Sequence, residues 1–171
     1  DEQYIRVFWL RYRMDLFRFS RKQEKLLQLP TDFTFSNKPL QLTEELESVY
    51  QLYRNDIDFE ISPTLRENLF SLCFISSEEA PAYDSWVMEI RHKGKLIAAG
   101  IYDMGEKSMM GIINFYDPAY KKLSLGKRMI LYKLQESLDR KLDYYYPGYI
   151  VPDYPKFDYK REAGPEICEI Y

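Results

Sequence analysis

The spacing of apolar and polar residues changes from one segment of the chain to the next. In YIRVFWLRYRM, residues 4–14, apolar and polar side chains alternate, which predicts a β-strand with Val7, Trp9 and Arg11 on one face. The segment LPTDFTFSNKP, residues 29–39, predicts a connection that contains a short extended piece.

Three helices are predicted in the first half from their end signals and their period. SRKQ at 20–23 places Ser three residues before Gln, a capping-box pattern that predicts a short helix to about Leu29. In SPTLRENLFSLCF, Pro63 follows Ser62 directly, and proline is tolerated at the first helical position. The helix predicted over 43–57 has four apolar or aromatic residues at helical spacing: Leu46, Val49, Tyr50 and Tyr53.

The second half begins with three β-type runs over residues 86–116, separated by turns that contain glycine. This pattern predicts an antiparallel meander of three adjacent strands. A helix is predicted over 125–141, and LDYYYPGYIV, residues 142–151, is a strand candidate interrupted at its Pro-Gly step. The tail YKREAGPEICEIY is expected to return as a last strand. The buried side of the helix is expected to contain Met129, Ile130, Leu134 and Leu138.

A meander, a helix and a further strand behind an α-rich first half predict an α+β fold. The strand–helix–strand step implies one parallel pair inside an otherwise antiparallel sheet. This order is similar to the core of the N-acetyltransferase-like fold, so we expect a GNAT-like, mixed and mainly antiparallel sheet with packed helices. One domain is expected over residues 1–171, α-rich over 1–80 and with the sheet core over 81–171.

The charges are unevenly distributed along the chain. The total of −3 argues against a generic nucleic-acid binder. Residues 1–28 carry a net +3, residues 29–89 a net −9 and residues 90–171 a net +3, which permits a basic face without requiring one. The 16 tyrosines and 10 phenylalanines either build a core with polar tips or line a surface that stacks on a flat ligand.

The cysteines and the histidine disfavour several classes of site. Cys73 and Cys168 have neither the number nor the spacing of a zinc site or a disulfide framework. His92 lies beside a Lys-Gly-Lys turn and is interpreted as an exposed strand end, so a triad built on histidine is not expected. No apolar run reaches the length of a membrane span, and no signal peptide opens the chain. We expect a cytoplasmic protein.

The segment FYDPAYKKLSLGKRMILYKL, residues 115–134, combines turn and helix-start signals. Asp117-Pro118 ends the preceding run, because proline fixes φ and has no N–H donor. Ser124 is a good N-cap for the helix that follows. Gly126, at the helix N-terminus and flanked by lysines, also suits a bound phosphate. Two interpretations of this segment therefore remain open, a helix cap and a phosphate-binding site.

Three ordered blocks resemble the C-terminal part of the aminoacyl-tRNA–protein transferases, in their arginyl and leucyl branch. The family pattern F-Y-D-P-x-Y-x-x-x-S-L-G matches residues 115–126, and its L-D-Y-x-Y-x-G-Y block matches residues 142–149. A third block, K-x-x-Y-K, matches Lys156, Tyr159 and Lys160. Weaker similarities nearer the N-terminus extend the resemblance over nearly the whole chain.

The sequence also departs from that family. The cysteine cluster that usually precedes the first matched segment is not found here. Pro147 replaces a common leucine, and two dipeptides, Ile150-Val151 and Asp153-Tyr154, stand where the family tends to have Trp-Ile and Gly-Cys. The pocket lined by these residues is expected to suit a different amino acid or a different acceptor peptide.

The resemblance implies transfer of an amino acid, arginine or leucine, from charged tRNA to the N-terminal amine of an acceptor. The ester on the 3′ end of tRNA is already activated, so no nucleophilic side chain, metal or cofactor is needed. The enzyme must align the substrates, accept a proton from the attacking ammonium and stabilise the oxyanion. The implied partners are aminoacyl-tRNA and the N-terminus of a protein or peptide, with no membrane; the oligomeric state stays open.

Three residues are the catalytic candidates that follow from this resemblance. Asp103 is a candidate for binding an α-amine, and a turn-forming role before Gly105 is at least equally consistent. Tyr116 and Asp117 are candidates for shaping the same cleft, although Asp-Pro is equally a turn. Tyr149 is a candidate for stacking on the terminal adenine, with packing as the alternative.

The substrate-binding candidates are expected to hold the tRNA in place. Lysines at such positions contact phosphates and position the nucleic acid without reading its sequence. The basic segments 11–25 and 121–133 are expected to contribute to binding. Two alternatives remain: an acyl-CoA-dependent N-acyltransferase, disfavoured by the missing Gly-rich loop, and a non-catalytic binding module of the same fold. The substrate-binding candidates are Ser124, Gly126, Lys127, Tyr149, Lys156, Tyr159 and Lys160.

Overall fold

The computed structural model describes residues 6–70, 83–152 and 155–170, with only the backbone of residues 155 and 156. These residues form seven strands, four α-helices and three 3-10 segments. The strands are β1 Phe8–Arg13, β2 Phe33–Pro39, β3 Asp84–His92, β4 Lys95–Met104, β5 Ser108–Tyr116, β6 Tyr144–Ile150 and β7 Cys168–Ile170. The α-helices are α1 Arg21–Leu27, α2 Glu44–Asp56, α3 Leu65–Phe70 and α4 Leu125–Asp139. The 3-10 segments are Pro118–Leu123, Pro155–Arg161 and Pro165–Ile167.

The strands are hydrogen-bonded in the order β2-β3-β4-β5-β6-β1-β7. β3, β4 and β5 are neighbours in chain order, which confirms the predicted meander. β5 and β6 run parallel, with Ser108 to Met110 opposite Tyr144 to Tyr146, and α4 connects them. The pairs β1–β6, β1–β7, β2–β3 and β3–β4 are antiparallel. The predicted α+β class with a parallel step in a mainly antiparallel sheet is confirmed.

The chain divides into two compact units. The first unit contains residues 1–28, 105–111 and 126–171, and the second contains residues 29–104 and 112–125. The first has 16 basic and 13 acidic side chains and a net charge of +3, whereas the second has 8 basic and 14 acidic and a net charge of −6. The positive charge of the chain is therefore concentrated in the first unit. The expectation of one domain over the whole chain stays a prediction.

Helix α2 belongs to the second unit and follows the predicted pattern. It begins after Thr43, whose side-chain oxygen accepts a hydrogen bond from Leu46 N at 3.2 Å, the usual N-cap interaction. Leu46, Val49 and Tyr50 are buried, and Tyr53 packs against them while half-buried. The same core also contains Leu65, Val87, Leu96, Ala99, Ile101 and Phe115.

Helix α3 begins two residues later than the sequence predicted. Its first residue is Leu65 rather than Pro63. The side-chain oxygen of Thr64 accepts a hydrogen bond from Glu67 N at 3.1 Å, which satisfies a free N–H group of the first turn. A threonine cap therefore replaces the predicted proline start. Cys73 and the rest of that predicted helix lie outside the described residues.

The hairpin between β3 and β4 turns at Lys93 and Gly94. Their φ angles are 50° and 85°, the left-handed values that a two-residue hairpin turn requires. His92 precedes this turn, and its ring stacks on Phe33 with 4.4 Å between centroids. Its Nδ1 lies 2.9 Å from the hydroxyl of Tyr120. The prediction of an exposed histidine is wrong, because this ring packing leaves it half-buried.

Helix α1 of the first unit has the predicted capping box. Ser20 Oγ accepts a hydrogen bond from Gln23 N at 3.3 Å, and Gln23 Oε1 accepts one from Ser20 N at 2.8 Å. Gln23 Nε2 also donates to the main-chain oxygen of Glu162 at 2.6 Å. This second contact accounts for the burial of Gln23, which the sequence pattern does not predict.

Strand β6 continues through its Pro-Gly step instead of being interrupted there. Leu10 lies opposite Gly148 and Tyr12 opposite Tyr145, so one residue of β1 faces two of β6 at this point. This irregularity is a β-bulge, which accommodates Pro147 without ending the ladder. The prediction of a broken strand is therefore wrong in detail.

Helix α4 ends two residues before its predicted end. Its buried side contains the predicted Met129, Ile130 and Leu134, whereas Leu138 is half-buried. Arg128 Nη1 donates to the main-chain oxygen of residue 28 at 3.0 Å, and Tyr132 Oη to that of residue 27 at 2.8 Å. The two polar residues that are also fully buried are Lys133 and Ser137.

Candidate functional site

The sequence candidates divide between the two units. The backbone of Lys156 lies in the Pro155–Arg161 segment of the first unit, and its side chain is outside the described residues. The candidates of the first unit with described side chains are Lys127, Tyr149, Tyr159 and Lys160, together with Gly126. Those of the second unit are Asp103, Tyr116, Asp117 and Ser124.

Lys160 and Tyr149 contact each other in the first unit. Lys160 Nζ donates a hydrogen bond to the main-chain oxygen of Tyr149 at 2.9 Å. The same ammonium lies 4.8 Å from the ring centroids of both Tyr149 and Phe157. Burial lowers the pKa of Lys160 to about 8. The protein itself therefore holds this ammonium, which the sequence analysis expected at a tRNA phosphate.

The backbone around Lys160 fixes the position of its side chain. The hydroxyl of Tyr12, on β1, donates to the main-chain oxygen of Lys160. Gly148 has a φ of 96°, a left-handed value that favours glycine, and a Cβ there would lie 3.4 Å from Lys160 Nζ. A glycine at this position therefore avoids strain and leaves room for the ammonium.

Trp9 extends this group of rings, and the sequence analysis assigned it no role. It lies opposite Tyr149 across β1 and β6, with 5.6 Å between ring centroids and 71° between ring planes. Trp9 is 38% exposed and Tyr149 is 37% exposed. Trp9 lies within β1 whereas Val7 precedes the strand, so their shared face stays a prediction. A tryptophan on the exposed face of a strand is the signal that marks the residue as a candidate.

The SLG block and the K-x-x-Y-K block meet at the start of α4. A Cβ on Gly126 would lie 3.8 Å from two carbons of the Tyr159 ring, an ordinary packing distance. Lys127 Nζ forms an ion pair with Glu162 Oε2 at 2.8 Å. Gly126, Lys127 and Tyr159 are thus brought together, and Lys127 has a carboxylate partner within the protein.

Ser124 does not adopt the conformation of an N-cap. Its φ and ψ are 54° and 41°, a left-handed conformation, whereas an N-cap residue is typically extended. Its N–H donates to the main-chain oxygen of Lys121 at 3.3 Å, so Ser124 ends the preceding 3-10 segment. The predicted N-cap geometry is therefore wrong, and the substrate-binding role of Ser124 stays a prediction.

Asp117 has structural contacts for both of its carboxylate oxygens. Oδ1 accepts a hydrogen bond from Ala119 N at 3.0 Å, and Oδ2 accepts one from Lys95 Nζ at 2.9 Å. Burial alone would raise the pKa of Asp117, but the hydrogen bonds from Lys95 and Ala119 outweigh it and lower the pKa. The carboxylate caps the 3-10 segment, and its catalytic role stays a prediction.

Asp103 and Tyr116 lie near the ends of two strands. Asp103 is the penultimate residue of β4, and its Oδ1 accepts a hydrogen bond from Ser85 Oγ at 2.6 Å on the paired strand β3. Asp103 is therefore part of the ladder rather than of the following turn. The ring of Tyr116 lies 5.4 Å from that of Tyr53, centroid to centroid. Both catalytic roles stay predictions.

A buried polar group in the first unit has no signal in the sequence. Lys133 and Tyr145 are fully buried, on α4 and β6. A Cβ on Gly111 would lie 3.0 Å from Tyr145 Oη and 3.6 Å from Lys133 Nζ. Within the described part of the chain, Tyr145 Oη has no hydrogen-bond partner, and burial raises its pKa.

Residues 43–168 match the model of a protein family described as arginine-tRNA-protein transferase, C terminus. This range covers most of the chain and includes all three motif blocks. The chain belongs to this family. The resemblance that the motif blocks predicted is thereby confirmed.

Two curated relatives of this family member have the same name. The aspartate/glutamate leucyltransferase of Alcanivorax borkumensis is 29% identical over 157 residues, which are 91% of this chain and 63% of that protein. A protein of the same name from Pseudomonas fluorescens is 29% identical over 147 residues, 85% of this chain and 60% of that protein. The chain therefore spans about three fifths of the length of these relatives.

Solved structures similar to this family member show its fold. L-PGS from Bacillus licheniformis has a TM-score of 0.55 at 14% identity, covering 84% of this chain and 48% of that one. A GCN5-related N-acetyltransferase-like protein from Streptococcus suis has a TM-score of 0.51 at 18% identity, with coverages of 96% and 59%. A GCN5-related N-acetyltransferase from Kribbella flavida has a TM-score of 0.52 at 14% identity, with coverages of 95% and 55%. The predicted GNAT-like fold is confirmed.

None of the helices in 6–70, 83–152 and 155–170 is long and apolar enough to cross a membrane. In the same ranges, no group of three or more His, Cys, Asp or Glu side chains is placed to hold a metal ion.

Proposed function

We propose that the protein transfers an amino acid from a charged tRNA to the N-terminal amine of an acceptor protein. The observation that carries this proposal is the family match over residues 43–168, which contains the three blocks of the transferase pattern. The reaction uses an ester that is already activated, which suits a chain without an evident Ser-His or Cys-His arrangement. Charged tRNA is available in the cytoplasm, so the proposal includes a cytoplasmic location.

The reaction forms one bond and breaks one. The α-amine of the acceptor attacks the ester carbonyl carbon, the C–N bond forms, and the C–O bond to the ribose 3′ oxygen breaks. The attacking ammonium must lose a proton, and the 3′ oxygen must gain one as the tRNA leaves. Holding two substrates in line contributes about 7 kcal/mol or more in well-oriented cases. The enzyme therefore needs two binding sites and a proton acceptor between the reacting groups.

Lys160 is our candidate for that proton acceptor. Its ammonium is held over the rings of Tyr149 and Phe157, with one hydrogen bond to a main-chain oxygen. Its pKa, lowered by burial to about 8, is close to that of an N-terminal amine, about 7.7–8.0. With this pKa about half of the lysine is neutral at pH 8 and about a tenth at pH 7, and only the neutral amine can accept a proton. General-base catalysis contributes roughly 10²- to 10⁴-fold.

Leucine is the proposed amino acid, and an acidic N-terminus is the proposed acceptor. The support is the name of the curated relatives, aspartate/glutamate leucyltransferase, at 27–29% identity. The family description names arginine, which is therefore the second candidate. The similarity of the fold to GCN5-related N-acetyltransferases makes acyl transfer from acyl-CoA the third.

The three candidates are separated by one set of incubations. The protein is mixed with leucyl-tRNA, arginyl-tRNA or acetyl-CoA, each with peptides that begin with Asp, Glu or Lys. Mass spectrometry of the peptides then identifies the group added. We expect leucine on the Asp and Glu peptides, and no addition to the same peptides with acetylated N-termini. Acetylation of the peptides, with no addition from either charged tRNA, would overturn the proposal.

A further inference from the structure

Three aromatic rings form a partly exposed group on the first unit, which we name the aromatic cluster: Trp9, Tyr149 and Phe157. Trp9 and Tyr149 face each other across β1 and β6, with 5.6 Å between ring centroids. Phe157 lies 5.7 Å from Tyr149, at 41° between planes. Trp9 and Tyr149 leave 38% and 37% of their surface exposed. Large aromatic surface that stays exposed in this way is typical of a binding site.

The cluster is held by a cation and by the backbone. Lys160 Nζ lies 4.8 Å from the ring centroids of Tyr149 and of Phe157 and donates to the main-chain oxygen of Tyr149. Tyr12 donates in turn to the main-chain oxygen of Lys160. Because the rings are fixed before any ligand arrives, a flat ligand that stacks on them loses little entropy in ordering the protein.

The net charge of the first unit indicates which class of flat ligand the aromatic cluster binds. The unit that carries the cluster has a net charge of +3, whereas the other unit has −6. Proteins that bind single-stranded nucleic acid combine aromatic rings for the bases with nearby positive charge for the backbone. An acidic peptide would also be attracted by the charge but would leave the rings without a stacking partner.

We propose that the aromatic cluster is a stacking site for the unpaired nucleotides at the 3′ end of the charged tRNA. This inference rests on the proposed function and adds Trp9 and Phe157 to the residues that hold the substrate. Lys160 acts on this site by positioning the rings of Tyr149 and Phe157.

The two tryptophans of the chain, Trp9 and Trp86, allow a direct test. Trp86→Phe leaves Trp9 as the single tryptophan, and Trp9→Phe leaves Trp86, which lies on β3 in the second unit. Each variant is titrated with a single-stranded RNA of six nucleotides that ends in adenosine, and tryptophan fluorescence is recorded. We expect quenching in Trp86→Phe and none in Trp9→Phe, because a stacked base quenches only the ring that it touches.

Affinity measurements complete the test. Trp9→Ala should weaken binding of the RNA by about 5- to 150-fold, as expected for loss of one stacked base. Phe35→Ala is the matched control, because Phe35 is 39% exposed but lies in the second unit. The affinity of the Phe35→Ala variant for the RNA should equal that of the wild type. Thermal melts confirm that each variant is folded, and Trp9→Leu, which keeps apolar volume without an aromatic ring, serves if Trp9→Ala is not.

The possible results distinguish a failure of the stacking site from a failure of the proposed function. If Trp9 is quenched by RNA but no amino acid is transferred, the stacking site stands and the proposed function fails. If transfer occurs and Trp9→Ala, when folded, binds RNA and transfers like the wild type, the stacking site is overturned and the function stands. Quenching of Trp9 by an acidic peptide, with none by RNA, would also overturn the site.

Discussion

Lys160 donates a hydrogen bond to the main-chain oxygen of Tyr149 at 2.9 Å and places its ammonium 4.8 Å from the centroid of the Tyr149 ring. The pair joins two motif blocks that are separated in the sequence, L-D-Y-x-Y-x-G-Y and K-x-x-Y-K. Burial of the lysine lowers its pKa to about 8, although both of these contacts favour the charged form. The first prediction concerns the proton that this lysine is proposed to accept.

The transfer rate at saturating substrate should fall as the pH drops below about 8, because burial lowers the pKa of Lys160 to about 8 and only its neutral form accepts a proton. The fall should reach tenfold per pH unit well below that value. Two acceptor peptides whose terminal amines differ in pKa show which group causes this fall in rate. The pH at which the rate begins to fall should stay near 8 for both peptides if Lys160 is the cause. A fall that instead follows the pKa of the peptide amine would contradict the assignment.

Lys160→Arg separates the proton acceptor from the positioning of the rings. Arginine stays charged over this pH range, so it retains a cation beside Tyr149 but cannot take up a proton. We expect transfer to fall by roughly 10² to 10⁴, whereas RNA affinity changes little. Lys160→Met should lower both quantities, since it removes the cation as well.

Gly126→Ala tests whether the start of α4 is a phosphate-binding site. A Cβ there makes only an ordinary contact with Tyr159, at 3.8 Å, and alanine is the better helix former. The free energy of unfolding should therefore stay the same or rise by up to about 1 kcal/mol. Binding of tRNA, measured by titration, should weaken, because the new side chain blocks close approach of the backbone. Unchanged tRNA affinity would show that the glycine step has no part in binding.

Charge reversal at Lys127 needs a control for its partner. Lys127→Glu places two carboxylates together at Glu162, which now pairs with the lysine at 2.8 Å. The swap of Lys127→Glu with Glu162→Lys restores an ion pair with the positions exchanged. If Lys127 contacts phosphate, the single change should weaken tRNA binding and flatten its salt dependence. The swap should recover stability without recovering that affinity, and full recovery of affinity would assign Lys127 a structural role only.

Gly111 and Tyr145 should be energetically coupled. A Cβ at residue 111 would lie 3.0 Å from Tyr145 Oη, closer than side chains normally pack, so Gly111→Ala should destabilise the protein by about 1–3 kcal/mol. Tyr145→Phe should change stability little or raise it, since it removes a buried hydroxyl that has no partner among the described residues. In the Tyr145→Phe background Gly111→Ala should cost less, as measured by denaturant unfolding. Additive effects would mean that the two groups do not meet.

The contacts of the Asp117 carboxylate are expected to stabilise the fold, and its catalytic role stays a prediction. Asp117→Ala removes an acceptor for Ala119 N and for Lys95 Nζ and should cost about 1–2 kcal/mol of unfolding free energy. Asp117→Asn keeps an oxygen for the cap and should cost less.

The pH dependence of Asp117 has a defined sign. Its pKa is lowered in the folded protein, so its contribution is complete above the unfolded value of about 3.9 and is lost as the pH falls below it. Asp117→Asn should remove that part of the acid sensitivity seen in thermal melts. Loss of transfer in Asp117→Asn without a change in melting temperature would support its predicted catalytic role.

Local signals in the sequence predicted most elements of the fold. The Ser20–Gln23 capping box marks the start of its helix because a side-chain oxygen satisfies N–H groups only a few residues away. The meander followed from three β-type runs separated by glycine-containing turns, one of which the structure places at Lys93 and Gly94. The same approach misplaced the start of α3, since Thr64 and Pro63 are both acceptable near a helix start and tertiary contacts decide between them.

The candidate site was less predictable because its members come from distant parts of the chain. Trp9 meets Tyr149 only through the pairing of β1 with β6, and no local pattern contains the register of those strands. The burial of Lys160 likewise depends on rings contributed by two segments. The left-handed backbone of Ser124 is set by the 3-10 segment that it ends, whereas the sequence pattern indicated an ordinary cap.

The proposed transfer is tested most directly by counting its two products in one reaction. Leucyl-tRNA is mixed with the protein and a peptide that begins with Asp, and both the leucylated peptide and the uncharged tRNA are quantified over time. The account predicts one new peptide bond for each tRNA released by the enzyme, and no such bond with an N-acetylated peptide. Release of tRNA without a leucylated peptide, or no release above the spontaneous rate, would contradict it.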